Sequence, residues 1–234
     1  MSKLKWSERS TRYAGFAAIV GGALGIMLAP IMVIVKYMTG WSVIPEPAWI
    51  RAVQPALGSF LSSTSPVGLW VAYGRLYTLA LVLMLLGLLA LYAQTGTHRG
   101  RIGTAGYWVL LVGLCLVIPG DAVHTATWHQ NGLTTPTPGT NVVANTAYAT
   151  HMMGMNFVMV GSLMVGISAL RKKFLAPWLA WLFVLTLPSA VIASVTLLPT
   201  TPSGALWLFS LMMIAVGYSM AAHKSWHLMA ALRA

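Results

Sequence analysis

The chain has 234 residues, of which 58% are hydrophobic and 7% are charged, and its formal net charge is +11. Soluble domains carry roughly 25% charged residues, so this composition excludes a water-soluble globular protein. The basic residues fall in short clusters between apolar runs, which is typical of membrane topology signals and excludes a nucleic-acid-binding protein. The single cysteine, Cys115, excludes an internal disulfide, a CxxC redox pair and a thiolate metal cage.

Six apolar runs, each long enough to cross a bilayer, follow one another along the chain. They cover residues of about 13–38, 67–93, 105–129, 147–169, 176–198 and 205–222. The first run has no small-residue cleavage site at its end, so we expect a retained span rather than a signal peptide. The sequence predicts an all-α polytopic membrane protein, a single domain of residues 1–234 built as a bundle of six transmembrane helices.

Lysine and arginine are concentrated in alternate connections between these runs. One side of the membrane would receive only Lys36, Arg51 and Arg75. The other side would receive Lys3, Lys5, Arg9, Arg12, Arg99, Arg101, Arg171, Lys172, Lys173, Lys224 and Arg233. The positive-inside rule then predicts that both termini are cytoplasmic, in a plasma (inner) membrane.

Two longer connections would face outward. The connection 39–66 contains four prolines, together with Glu46 and Arg51, and its middle predicts a short helix lying in the headgroup plane. The connection 131–146 is rich in Thr, Pro, Gly and Asn, and predicts an ordered cap or a flexible lid.

Ionisable residues at membrane depth are costly, so each one indicates a partner or a function. Asp121 lies about 24 Å along the third run, in the outer leaflet, and His124 follows it at i+3 on the same helical face. His129 falls at the rim. His151, about four residues into the fourth run, would lie at the depth of Thr125. Pro119 and Gly120 precede Asp121 and predict a kink that lines an outward-facing cavity.

This cluster is compatible with several kinds of site. The plainest is a structural Asp121–His124 pair with Arg75 as countercharge. A transition-metal site (Zn, Fe or Cu) would use Asp121, His124 and His151, with His129 as a fourth ligand. A single haem b would take His124 and His151 as axial ligands, with Arg75 or Arg51 near its propionates.

The methionines of the fourth run offer a further alternative. Met155 and Met159 follow His151 at successive i+4 positions, and thioether ligands select Cu(I), although helix packing explains them better.

These residues favour an integral membrane enzyme or redox protein that acts on a lipophilic or membrane-surface substrate. Asp121, His124 and His151 would be catalytic, Arg75 would contact the cofactor, and the substrate would meet Arg75, Arg51 and Glu46. An accessory subunit of a larger membrane complex and a small proton-coupled transporter are the alternatives. The predicted partners are the lipid bilayer, a membrane subunit or a second copy of the chain, and no nucleic acid.

Overall fold

The computed structural model describes residues 7–38, 66–130, 138–196 and 203–222, and their side chains over 7–28, 72–96, 98–127, 142–192 and 207–222. This part of the chain is all-helical. It contains the helices α1 (Glu8–Met38), α2 (Pro66–Thr95), α3 (Gly100–Gln130), α4 (Pro138–Lys172), α5 (Pro177–Thr196) and α6 (Ser203–Ala221). A single 3₁₀ turn, Gly96–Arg99, joins α2 to α3.

Proline and glycine set several of the helix ends. Pro66, Pro138 and Pro177 are the first residues of α2, α4 and α5, where the missing N–H of proline removes no intrahelical bond. Gly96 and Gly100, at the two ends of the 3₁₀ turn, have φ values of +50° and +68°. Residues other than glycine rarely adopt such backbone angles, so the tight α2–α3 connection depends on these two glycines.

Four helices, α1 to α4, are long and apolar enough to cross a membrane. Helices α5 and α6 have 20 and 19 residues, and their described portions are shorter apolar segments. The outer surface of the described part carries large apolar side chains, among them Trp108, Trp178 and Ile192, which are at least half exposed. A surface of this kind suits lipid better than water.

The connection 131–146 was predicted as an ordered cap or a flexible lid; its residues 138–146 are instead helical, because α4 begins at Pro138. The composition of this segment suggested a loop, but Pro138 can start a helix and tertiary contact overrides the weak propensity of its Asn and Thr residues. The interfacial helix predicted within 39–66 lies outside the described residues, as do Glu46 and Arg51. The backbones of Lys36 and His129 are helical, but their side chains lie outside the description.

The six helices form a closed ring. Each helix packs against its neighbours in sequence, and α6 returns to pack against α1. The α3–α4 and α1–α6 interfaces are the most extensive of the six, whereas the α2–α3 and α5–α6 interfaces are the smallest. Leu81, Met84 and Leu88 of α2, with Leu114 of α3 and Phe183 of α5, are fully buried inside the ring. We call the end where α1 and α3 begin and α2 and α4 end the basic end.

Small residues spaced by seven bring the backbones of α3 and α4 into contact. The α3 series is Gly106, Gly113 and Gly120, and the α4 series is Ala147, Gly154, Gly161 and Ser168. A Cβ atom built on Gly113 would lie 2.6 Å from the Val158 backbone nitrogen. The spacing of seven keeps these residues on one seam of nearly aligned helices. Gly15 and Gly22 of α1 meet Ser210 and Gly217 of α6 at the same spacing.

Candidate functional site

Asp121 lies inside the ring with only 7% of its surface exposed. The hydroxyl of Thr78, on α2, lies 2.8 Å from Asp121 Oδ2 and also 2.8 Å from the carbonyl oxygen of Gly74. A hydroxyl has one proton to donate. When Thr78 donates to Asp121, the Gly74 carbonyl is left to other donors. When Thr78 donates to Gly74, a protonated Asp121 completes the other bond as donor. The geometry therefore accommodates both protonation states of the carboxyl group.

A glycine allows Thr78 to reach Asp121. Gly74 packs directly against the side chain of Thr125, and a Cβ atom at Gly74 would overlap it. Thr78 lies one turn after Gly74 on α2, and Asp121 lies one turn before Thr125 on α3, so the two helices cross closely beside the hydrogen bond.

Two tyrosines form the α2 wall of this site. The rings of Tyr73 and Tyr77 are stacked, with their centroids 5.5 Å apart and their planes within 10°. Both rings are buried, and the Tyr77 hydroxyl has no hydrogen-bond partner among the described residues. A buried hydroxyl without a partner is costly, which makes Tyr77 a candidate for contact with water or a ligand.

His151 lies opposite these tyrosines on α4. Its ring centroid is 6.4 Å from that of Tyr77, and it interacts with the backbone of Val117. Its Nδ1 atom is buried and has no hydrogen-bond partner among the described residues. The close α3–α4 contact sets its position, because a Cβ atom on Gly120 would lie 2.8 Å from the His151 backbone nitrogen.

His124 completes the cluster. It is half-buried on α3, its ring lies 5.5 Å from that of Tyr148, and it is near enough to His151 for an electrostatic interaction. Three predicted site residues, Asp121, His124 and His151, therefore lie at one end of the α2–α3–α4 group. We call them, with Thr78 and Tyr77, the polar cluster.

The expected depth of His151 is wrong. Its backbone meets α3 at Gly120 rather than at Thr125. The difference of five residues is about 7.5 Å along a helix. Counting from the ends of the apolar runs missed the true start of α4 and the register that its small residues impose.

Comparison with protein-family models, with curated proteins and with solved structures finds no match for this chain. The chemistry of the site must therefore be inferred from its residues.

The other predicted residues do not join the cluster within the described part of the chain. Arg75 is exposed, and no ion pair between it and Asp121 is present among the described side chains, so the predicted countercharge is absent there. No group of three or more His, Cys, Asp or Glu in the described residues could hold a metal ion. His129, Arg51 and Glu46 lie outside the described side chains. The metal and haem sites stay predictions.

Three residues of the site were not predicted from the sequence: Thr78, Tyr73 and Tyr77. The sequence does contain a sign of this site, a polar face on an otherwise apolar helix. Tyr77 follows Tyr73 by four residues, and Thr78 follows Gly74 by four, so each pair lies on one face of α2. The partner of that face lies on another helix, so spacing within α2 could not identify it.

Proposed function

We propose that this chain is a six-span membrane carrier in which Asp121 takes up and releases a proton as a small solute crosses the bilayer. The observation that carries the proposal is the environment of Asp121, a buried intramembrane carboxyl group with a hydroxyl partner and no cation among the described side chains. Carboxyl groups at this depth that are not paired with a cation are typical of proton relays.

The surrounding groups extend this role. The Tyr77 hydroxyl and His151 Nδ1 are polar atoms without protein partners in the described part, and the centroids of their rings, on α2 and α4, are 6.4 Å apart. Groups of this kind can accept or donate protons through water or a solute. The cluster thus supplies several positions for a proton within one region of the bundle.

The order of the helices around the ring is also consistent with a carrier. The first three helices can be matched with the last three. Each helix interface then has a counterpart of similar extent: the α3–α4 interface matches α1–α6, and the α2–α3 interface matches α5–α6. Both members of the first pair use small residues spaced by seven. Two halves of three helices each would cross the membrane in opposite directions, as the inverted repeats of many secondary transporters do.

We assign the basic end to the cytoplasm. It carries Arg9, Arg12, Arg99, Arg101 and Lys172, and cytoplasmic loops are enriched in such residues. In this orientation both termini are cytoplasmic, the membrane is a plasma (inner) membrane, and the polar cluster lies in the half of the bilayer away from the cytoplasm. Reporter domains fused to either terminus should be active only on the cytoplasmic side.

Proton movement in reconstituted vesicles tests the carrier. Proteoliposomes loaded with a pH-sensitive dye would be exposed to small organic amines, carboxylic acids and neutral solutes in turn. We expect at least one class to drive proton flux, and Asp121→Asn to abolish it. Ser162→Ala, a change at a buried hydroxyl distant in sequence from the cluster, is the control and should retain the flux. Solute-driven flux that persists in Asp121→Asn would refute the proposal.

A metal- or haem-dependent enzyme or redox protein is the second candidate. It is favoured by the position of His124, which is near enough to His151 for an electrostatic interaction, and by the His151 Nδ1 atom, which has no hydrogen-bond partner among the described residues. The ligand would be Zn, Fe, Cu or haem b. Metal analysis and absorbance spectra of the wild type, His124→Ala and His151→Ala decide this candidate, because both variants should lose the bound group. Equal contents in all three proteins would exclude it.

A further inference from the structure

Arg99 is a buried cation at the opposite end of the molecule from the polar cluster. Only 6% of its surface is exposed, although positive-inside residues usually extend into water. Its guanidinium carbon lies 3.6 Å from the ring centroid of Tyr92 and 5.2 Å from that of Tyr107. These cation–π contacts hold the group over the two rings rather than in solvent.

The Arg99 side chain does not use all of its N–H donors in hydrogen bonds with the described residues. Nε donates to the Gly96 carbonyl oxygen at 2.7 Å, and the Ser168 hydroxyl donates to the Arg99 carbonyl oxygen at 2.5 Å. Nη1 is buried without a hydrogen-bond partner among the described residues. The 3₁₀ turn and α4 therefore fix the residue in position and leave part of its planar fork unused.

No acidic side chain of the described residues balances this charge. The chain has only three acidic residues, Glu8, Glu46 and Asp121. Asp121 lies 22 residues further along α3, about 33 Å away. Glu8 is in the first turn of α1, and the described contacts of Arg99 are with Gly96, Ser168 and two tyrosine rings; Glu46 lies outside the described residues. A buried guanidinium without a counterion is strongly unfavourable, so an external anion is expected.

Further cations surround the same turn. The Lys172 side chain lies beside Gly100, and its Cε would be 3.4 Å from a Cβ atom built on that glycine. Arg101, the next residue of α3, is exposed. The turn joins two helices that are long enough to cross the bilayer, so it lies at the level of the lipid headgroups. Basic pockets between helices at this level bind anionic headgroups.

We propose that Arg99, with Lys172 beside it, binds the phosphate group of an anionic phospholipid at the basic end, whereas the exposed Arg101 lies outside the site and adds only general positive charge. The planar guanidinium matches two phosphate oxygens at once, which a lysine ammonium cannot do. This site is independent of the polar cluster, so it stands whether or not the chain is a carrier.

The test compares lipid binding by the full chain and by charge-matched variants in neutral detergent micelles. The thermal unfolding midpoint is titrated with phosphatidylglycerol, phosphatidylcholine or inorganic phosphate, and native mass spectrometry counts the lipids retained. We expect phosphatidylglycerol alone to raise the wild-type midpoint. Its half-saturating concentration should rise about tenfold in Arg99→Gln and less than about twofold in Arg101→Gln.

Three results would overturn the proposal. The first is an equal loss in Arg99→Gln and Arg101→Gln, which would indicate a nonspecific effect of charge. The second is an equal response to phosphatidylcholine. The third is an equal response to inorganic phosphate, which would indicate a site for a free anion. If Arg99→Gln does not fold, Arg99→Lys replaces it with Arg101→Lys as control. Lysine keeps the charge and loses the fork, so Arg99→Lys should bind phosphatidylglycerol more weakly, and equal binding by the two lysine variants would also overturn the proposal.

Discussion

Replacing Thr78 with valine tests the hydrogen bond on which the polar cluster depends. Valine keeps the branched shape and removes the hydroxyl, so Asp121 loses the donor that reaches it from α2. Thr104→Val is a matched control. Thr104 is also half-buried and bonds the carbonyl oxygen four residues before it, at 2.9 Å, but it makes no bond to another helix in the described part of the chain.

The expected magnitude is the difference between the two variants. When Asp121 is protonated, Thr78 donates to the Gly74 carbonyl oxygen, so each variant loses one bond to its own helix backbone and that contribution is similar in both. Thr78→Val also leaves the buried carboxyl group of Asp121 without its partner on α2, which costs about 1.5 to 3 kcal/mol. Thr78→Val should therefore unfold more easily than Thr104→Val by that amount. For a chain of this size this corresponds to roughly 3 to 12 °C in the unfolding midpoint.

Reversible unfolding in mixed micelles, followed by far-ultraviolet circular dichroism, measures both variants. The same pair is then compared in an Asp121→Leu background, where the cross-helix bond has no acceptor. There Thr78→Val and Thr104→Val should be equally destabilising, because only their local bonds remain. Equal losses already in the wild-type background would show that the Thr78–Asp121 bond contributes nothing and would refute the reasoning.

Three further predictions concern the packing, the cluster and the membrane. Gly113→Ala should cost about 1 to 3 kcal/mol of unfolding free energy, because its Cβ would overlap α4; Ala105→Ser, on the exposed face of α3, should cost little in the same unfolding assay. Tyr77→Phe should leave unfolding unchanged or stabilise the protein by up to about 1 kcal/mol, since it removes a buried hydroxyl without a described partner, yet it should reduce solute-driven proton flux. Cys115, exposed in the middle of α3, should react in intact vesicles with an apolar maleimide and not with a charged one; fast labelling by the charged reagent would contradict a membrane span there.

Much of the helical organisation could be predicted from the sequence. The long apolar runs correspond to helices in the structure; the ends of α2 agree with the prediction to within two residues, whereas α3 begins five residues before its predicted start. Apolar length is a local property of the chain, and so is the tendency of proline to begin a helix. The start of α4 was missed because Asn and Thr at its beginning suggest a loop.

The site residues could be predicted only where the spacing within one helix, or the order of neighbouring helices, brings them together. Asp121 and His124 share a face by their spacing, and His151 comes near His124 because α4 runs back along α3. Thr78 and Tyr77 could not be assigned, because their role depends on how α2 crosses α3 at Gly74. The predicted cofactor ligands, and a partner subunit or second copy of the chain, stay predictions.

Only part of the role of Arg99 could be predicted from the sequence. The positive-inside rule treats every cation in a connection as a topology signal, and this one also has aromatic rings beneath it. Gly96 and Gly100 were the feature of the sequence that could have predicted a tight turn, and such a turn directs the Arg99 side chain inward.

The unequal interfaces of the ring have a mechanical consequence. The backbone contact of α3 with α4, and of α1 with α6, makes two stiff helix pairs that resist sliding. Helices α2 and α3 share one of the two smallest interfaces of the ring, so a rocking motion between the stiff pairs would strain this interface and the α5–α6 interface first. The Thr78–Asp121 bond crosses the α2–α3 interface. A change in the charge of the Asp121 carboxyl group would then weaken or strengthen the α2–α3 interface at which the two helices move.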